Sequence, residues 1–297
     1  MKDWKKLLGT MRLPFVVLAP VCALVGLGAA YSATGRINWL YFALALVSAV
    51  SAHISVNVIN EYFDFRNGLD SLTQRTPFSG GSGTLQVYPA LAHRALLMAW
   101  IALAIPALIG IYFTMVWGWM ALPLGACGLF LLYGYTKWIV KNPVLCLLAP
   151  GLGFGPLIVL STNFALTGSY SIQAIVASLI PFFLVNDLLL LNQFPDLEAD
   201  RSVDRHNLPI AIGRRASGYV YIAFLISAFV VIALGVLLGF LPRFSLIGLL
   251  TLVPGIQIIR DVLANSNNVP KLIPAMGQNV VVNLATPVLL TIGLFMR

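Results

Sequence analysis

The sequence predicts an all-α protein that crosses a membrane nine times. Three observations predict it. Of the residues, 59% are apolar and only 9% charged, against roughly 45–50% apolar in soluble domains. Apolar stretches of about 20 residues recur, each long enough to cross a hydrocarbon core of about 30 Å as a helix. The basic residues also sort to alternate sides of those stretches, as cytoplasmic loops require.

The spans run approximately over residues 15–33, 39–60, 95–115, 117–136, 144–166, 172–193, 216–239, 244–262 and 278–296. The first follows Arg12, is long enough to span, and lacks a small-residue cleavage site, so it reads as a helix and not as a cleaved signal. The second ends in an unusually acidic run. Only a turn near Val116 and Gly118 separates the third from the fourth. The fifth holds GLGFG (151–155), which no strand precedes; its glycines suit close helix approach better than a dinucleotide site. The sixth closes on another acidic run, the seventh is uninterrupted, Pro254 breaks the eighth, and the ninth closes the chain.

All but three of the 18 basic residues fall before span one or after spans two, four, six and eight; Arg36, Arg243 and Arg297 are the exceptions. This places the N-terminus in the cytoplasm and the C-terminus outside, in a multi-pass protein of the cell inner (cytoplasmic) membrane. The net charge of +8 then reflects topology and anionic lipid, and no nucleic-acid partner is expected. Cys22, Cys127 and Cys146 lie within spans without metal-ligand spacing, which argues against disulfide and zinc roles.

Seven of the ten acidic residues crowd into two runs, NVINEYFDFRNGLD (57–70) and NQFPDLEADRSVD (192–204). Asn60-x-x-x-Asp64 in the first is echoed by Asn192-x-x-x-Asp196 in the second, with further carboxylates at Asp70 and Asp200. The runs close spans four apart in the same orientation, which is what a duplicated four-helix unit gives. His53, Asn57, Asn60 and Asp64 form one stripe at helical spacing, and a polar stripe cannot face lipid. It must face an internal cavity or a partner helix. Asp187 lies within the sixth span and reads either as a base or acceptor-orienting group or as a neutral packing residue.

Helix-end carboxylates solvated by water are the plain alternative. Two such sets brought together repel, however, and need a cation. Mg²⁺ suits one or two carboxylates plus substrate phosphates. Arg66, Arg75, Lys137, Arg201 and Arg205 stand beside the acidic runs, and Mg²⁺ with basic side chains is what a diphosphate requires.

On these motifs, NEYFDFRNGLD (60–70) and NQFPDLEAD (192–200), the chain resembles the UbiA superfamily of intramembrane prenyltransferases over essentially its whole length. The resemblance implies a UbiA-like bundle and a single integral membrane domain over 1–297. It implies that Asp64, Asp70, Asp196 and Asp200 act catalytically by binding two Mg²⁺ that bridge a polyprenyl diphosphate, with Asn60 and Asn192 assisting. Arg66, Arg75, Lys137 and Arg205 are the candidate phosphate contacts. Asn60, Asp64, Gly68 and Asp70, with GLGFGPLIVLSTNFALTG (151–168), resemble the branch that prenylates 1,4-dihydroxy-2-naphthoate in menaquinone synthesis. Asn207 stands where that branch carries threonine. Tyr133-x-x-x-Lys137 resembles the 4-hydroxybenzoate branch instead.

Breaking an allylic C–O bond develops positive charge on carbon and negative charge on the diphosphate. Tyr133, Asn57 and His53 are candidates to shield that cation or hold an aromatic acceptor, and Asp187 to act as a base. The glycine-rich TPFSGGSG (76–83) suits a loop capping the site. A transporter for an anionic substrate is the rival from another class; a glycerol-phosphate lipid, a porphyrin or an internal double bond are rival acceptors.

Overall fold

A computed structural model describes residues 2–73 and 75–296, apart from the side chains of Lys2, Asp3, Thr136 and Lys137. Every regular element among the described residues is helical. In chain order the main helices are α1 (Leu13–Thr34), α2 (Trp39–Arg66), α3 (Pro89–Trp117), α4 (Trp119–Tyr135), α5 (Pro143–Thr167), α6 (Ile172–Ser202), α7 (Leu208–Leu237), α8 (Arg243–Asn265) and α9 (Val269–Phe295). Eight are long and apolar enough to cross a membrane, and α4 is apolar too, its helix continuing to Lys137. The nine helices agree with the nine expected spans.

Polar caps fix the starts. Asn38 Oδ1 accepts from the Tyr41 N–H, Asn142 Oδ1 from Val144 and Leu145, Ser171 Oγ from Ala174, and Asn207 Oδ1 from Ile210, each satisfying an amide that helix geometry leaves free. Glycines in the left-handed region end α1 and α5 at Gly35 (φ 68°) and Gly168 (φ 69°). Several helices overrun the apolar windows. α2 and α6 continue to Arg66 and Ser202 and so carry their acidic residues on helix ends. α7 begins at Leu208, eight residues before its apolar stretch, because Asn207 caps it and Gly213 (φ 82°) bends it.

The largest core lies among α1 and α5 to α9, around Val25, Leu184, Leu191, Tyr221, Ile258 and Met276; a smaller one joins the N-terminus to α2 and α3 through Leu7, Val58, Leu85 and Ala99. α2 packs along α3 and α6 along α7, which are equivalent positions in the duplicated frame. The glycines of α5 do what their spacing implied. A Cβ on Gly155 would lie 2.5 Å from the Ser178 carbonyl oxygen, and one on Gly151 2.2 Å from that of Phe182. Both neighbours are α6 backbone, which cannot rotate away. Gly155→Val is therefore expected to destabilise by at least the ~1–3 kcal/mol of an overpacked core, read as a lowered midpoint of thermal unfolding in detergent.

Candidate active site

Seven helices and the segments between them enclose a cavity of about 830 Å³. Its long walls are largely apolar, from Leu18, Ala49, Leu132, Phe154 and Leu188 among others, and its charged residues gather where α2 and α6 end. Asn57, Asn60 and Asp64 enter from α2; Asn192, Asp196 and Asp200 enter from α6. The shared periodicity delivers them. Residues four and seven apart lie on one helical face, and the two faces meet.

Arg205 ties the two sets together. One guanidinium nitrogen donates to Asp64 Oδ1, and the other to Asp200 Oδ1 at 3.2 Å. The backbone places it with care: Asp204 turns the chain through a left-handed conformation (φ 60°), the Arg205 N–H returns to the Asp200 carbonyl at 3.2 Å, and the His206 N–H reaches the Val140 carbonyl at 3.0 Å. Asn207 completes the turn. Its Oδ1 caps α7 while its Nδ2 donates to Asp200 Oδ2 at 2.7 Å.

Asp70 arrives by another route. Gly68 (φ 76°) reverses the chain after α2, and the short helix Leu69–Leu72 sets the carboxyl on the cavity wall, where Gln86 Nε2 donates to Oδ2 at 2.6 Å. Burial pushes this carboxyl up to about 6; the Gln86 hydrogen bond opposes the rise, and the charges of Asp64 and Glu61 add to it. The glycine-rich loop then closes over the site. Ser79, Gly80 and Gly81 line the cavity, and the Ser79 hydroxyl and Gly80 backbone approach the Asp196 carboxylate. A Cβ on Gly81 would stand 2.7 Å from Asp70 Oδ1.

Fully buried Glu61 anchors that loop. Its Oε1 accepts from the Ser82 N–H and from Arg12 Nε, each at 2.6 Å, and its Oε2 accepts from the Ser82 hydroxyl at 2.9 Å. Glu61→Gln keeps the shape but weakens these charge-assisted bonds. We expect a rise of about tenfold in KM for the substrate whose charged end lies beneath the loop, with unfolding temperature nearly unchanged.

The donor set fits divalent metal. Asn192 Oδ1 and Asp196 Oδ1 are buried oxygens without a hydrogen-bond partner, and Arg205 already marks the place between Asp64 and Asp200 as one that takes a cation. Among the described residues no three carboxylate, imidazole or thiol groups converge on one point. Each ion would therefore take one or two carboxylates and complete its shell elsewhere, which is the habit of Mg²⁺ with a phosphate substrate.

Not every expected residue comes to the site. Arg66 is exposed and away from the cavity. Arg75 is exposed as well, and its guanidinium meets Gln86 Oε1 at 3.4 Å. The Lys137 side chain lies outside the described residues. Tyr133 is 38% exposed and packs between Trp100 and Trp138 on the outer surface, with ring centroids at 6.2 and 5.8 Å; Tyr135 lines the cavity in its place. Asp187 is fully buried, absent from the cavity wall, and lacks a hydrogen-bond partner for either oxygen. It lies within α6, off the cavity wall. Arg12 and Gln86 are site residues that the motifs did not reveal.

A bundle with two acidic helix ends facing each other over an apolar cavity invites comparison with known proteins. The model of the UbiA prenyltransferase family matches residues 19–272. The chain belongs to that family. It is 27% identical over 263 residues to the 1,4-dihydroxy-2-naphthoate octaprenyltransferase of Bacillus subtilis (strain 168), a match covering 87% of this chain and 82% of the relative. It is likewise 27% identical over 233 residues to the digeranylgeranylglyceryl phosphate synthase of Natronomonas pharaonis, covering 76% of each. Among solved structures, a UbiA homologue from Archaeoglobus fulgidus bound to DMAPP and Mg²⁺ superposes with a TM-score of 0.63 at 17% identity, over 97% of this chain and 99% of the other. The UbiA fold accounts for the repeat seen in the sequence, and the chain is a multi-pass membrane prenyltransferase.

Proposed function

We propose that the enzyme transfers a polyprenyl group from an allylic diphosphate to an aromatic acceptor, 1,4-dihydroxy-2-naphthoate, in menaquinone synthesis. One observation carries the reading: Asp64 and Asp200, from the two halves of the molecule, share one guanidinium at the mouth of a cavity of about 830 Å³ with apolar walls. Charge belongs at that mouth and a hydrocarbon tail beyond it. A transporter has no need of a carboxylate set confined to one end of an apolar chamber. The naphthoate relative and the superposable structure solved with DMAPP and Mg²⁺ support the acceptor and the donor respectively.

Asp64, Asp70, Asp196 and Asp200 would hold two Mg²⁺, with the oxygens of Asn60 and Asn192 beside them. Bound there, the metal neutralises charge on the departing diphosphate. Arg205 holds the two carboxylate sets at one spacing and presents N–H donors to phosphate. Arg12 is the second cation on the wall. The apolar walls exclude water from the allylic cation until the ring carbon attacks it. The basic-residue asymmetry supports an inner-membrane enzyme with this mouth on the cytoplasmic side.

The test is incubation of membranes or purified enzyme with labelled polyprenyl diphosphate, Mg²⁺ and a panel of 1,4-dihydroxy-2-naphthoate, 4-hydroxybenzoate and a glycerol-phosphate lipid. One prenylated product from the naphthoate is expected, lost on chelation and restored by Mg²⁺. A product from the glycerol-phosphate lipid alone would overturn the acceptor, and labelled substrate accumulating unreacted inside proteoliposomes would overturn the chemistry.

A further inference from the structure

His53 lines the cavity from α2 at 7% exposure, eleven residues from Asp64 on the same helical face. At a rise of 1.5 Å per residue it stands about 16 Å deeper than the carboxylate mouth. Its ring is fixed. Phe154 meets it edge to face, with centroids 4.7 Å apart and planes at 77°, and the Val16 backbone carbonyl lies within hydrogen-bonding reach. That carbonyl has no partner in the next helical turn, because residue 20 is proline and carries no N–H. A neutral imidazole has one donor and one acceptor. Nδ1 is enclosed by protein and makes no hydrogen bond in this structure; a tautomer protonated there, where the Val16 carbonyl can engage the proton, leaves Nε2 to meet a ligand in the cavity as an acceptor.

An unpartnered acceptor in this part of the wall, beside Ala49, Ala52 and Phe154, has nothing to recognise in a polyprenyl tail, which is hydrocarbon throughout. The other substrate of the proposed reaction does carry a donor. We propose that His53 is an acceptor-binding residue: its free imidazole nitrogen takes a hydrogen bond from a hydroxyl on the aromatic ring, and so selects a hydroxylated arene and sets how the ring lies against the allylic carbon. The proposal rests on the prenyl-transfer reading above and adds the group that recognises the acceptor.

The experiment compares wild type, His53→Phe and His53→Gln as purified full-length enzyme in detergent. Binding of a non-hydrolysable polyprenyl thiolodiphosphate with Mg²⁺, followed by calorimetry, reports folding and the donor site. Initial rates are taken with 1,4-dihydroxy-2-naphthoate and its two mono-methyl ethers. We expect His53→Phe to bind the thiolodiphosphate normally but to raise acceptor KM about tenfold, the loss of one ordinary hydrogen bond. His53→Gln, whose amide oxygen still accepts, should recover most of this. One methyl ether should be poor with wild type and no poorer with His53→Phe.

Unchanged acceptor KM in His53→Phe, with wild type fully active, overturns this inference alone. So does a loss of thiolodiphosphate binding as large as the loss of acceptor affinity, or a penalty that persists undiminished with both ethers. A wild-type enzyme that binds the thiolodiphosphate yet prenylates no hydroxylated arene overturns the prenyl-transfer reading itself.

Discussion

Alanine at Asp64 or at Asp196 is expected to abolish prenyl transfer, with kcat down by at least about 10³-fold in either variant. The reason is the symmetry of the site. Each half of the molecule contributes one carboxylate set, and an ion held by one or two protein carboxylates loses much of its protein coordination when either is removed. Electrostatic stabilisation of a leaving group in a water-poor cavity is the largest single contribution available here, and single groups of this kind are worth about 10²–10³ in rate. Loss of a metal should exceed that. Both variants should remain folded, because removing a carboxylate from an acidic cluster relieves repulsion. The measurement is product formation by each purified variant beside its thermal unfolding curve. Full turnover in either would mean that the two sets do not act on one diphosphate.

Arg205→Met should have the second largest effect, with the opposite balance between activity and stability. The guanidinium is partly buried and bridges two buried carboxylates. Methionine fills the space of the stem but leaves Asp64 and Asp200 facing each other without a shared counter-charge. Breaking a buried ion pair from one side costs about 3–5 kcal/mol, so the unfolding temperature should fall clearly, while turnover drops about 10²–10³-fold. Mg²⁺ with pyrophosphate should return much of the lost thermal stability by supplying positive charge to the same place. A variant that melts like wild type and ignores Mg²⁺ would show that the bridge carries no such load.

Much of this site was legible because its residues repeat at helical spacing. Asn60 and Asp64 predict one face of α2, Asn192, Asp196 and Asp200 predict one face of α6, and the structure joins the two through Arg205. The departures follow from rotation. Each residue turns an α-helix by about 100°, so Arg66, two positions beyond Asp64, points away from the cavity that Asp64 lines. The same step separates outward-facing Tyr133 from cavity-facing Tyr135. Asp187, nine positions before Asp196, is half a turn off the working face. Proximity in sequence made these residues candidates, and helical phase turns their side chains off the cavity wall.

Other parts were illegible for want of any local pattern. Arg12 lies 49 residues from Glu61, and in the sequence it counted only toward topology. Gln86 satisfies Asp70 from the far side of the glycine-rich loop, and nothing about an isolated glutamine announces that. The tight turn between α3 and α4 was legible by contrast: it falls at Gly118 (φ 84°), where the sequence places it.

Asn207 has a consequence that reaches beyond this molecule's own catalysis. One end of its amide begins α7 and the other steers a carboxylate of the reaction centre. Aspartate there would preserve the helix start but set an anion against an anion. Threonine would have a single hydroxyl to divide between the two tasks. Any exchange at this position is thus judged twice, once by folding and once by its effect on the Asp200 carboxylate, and a threonine meets both demands with one side-chain oxygen.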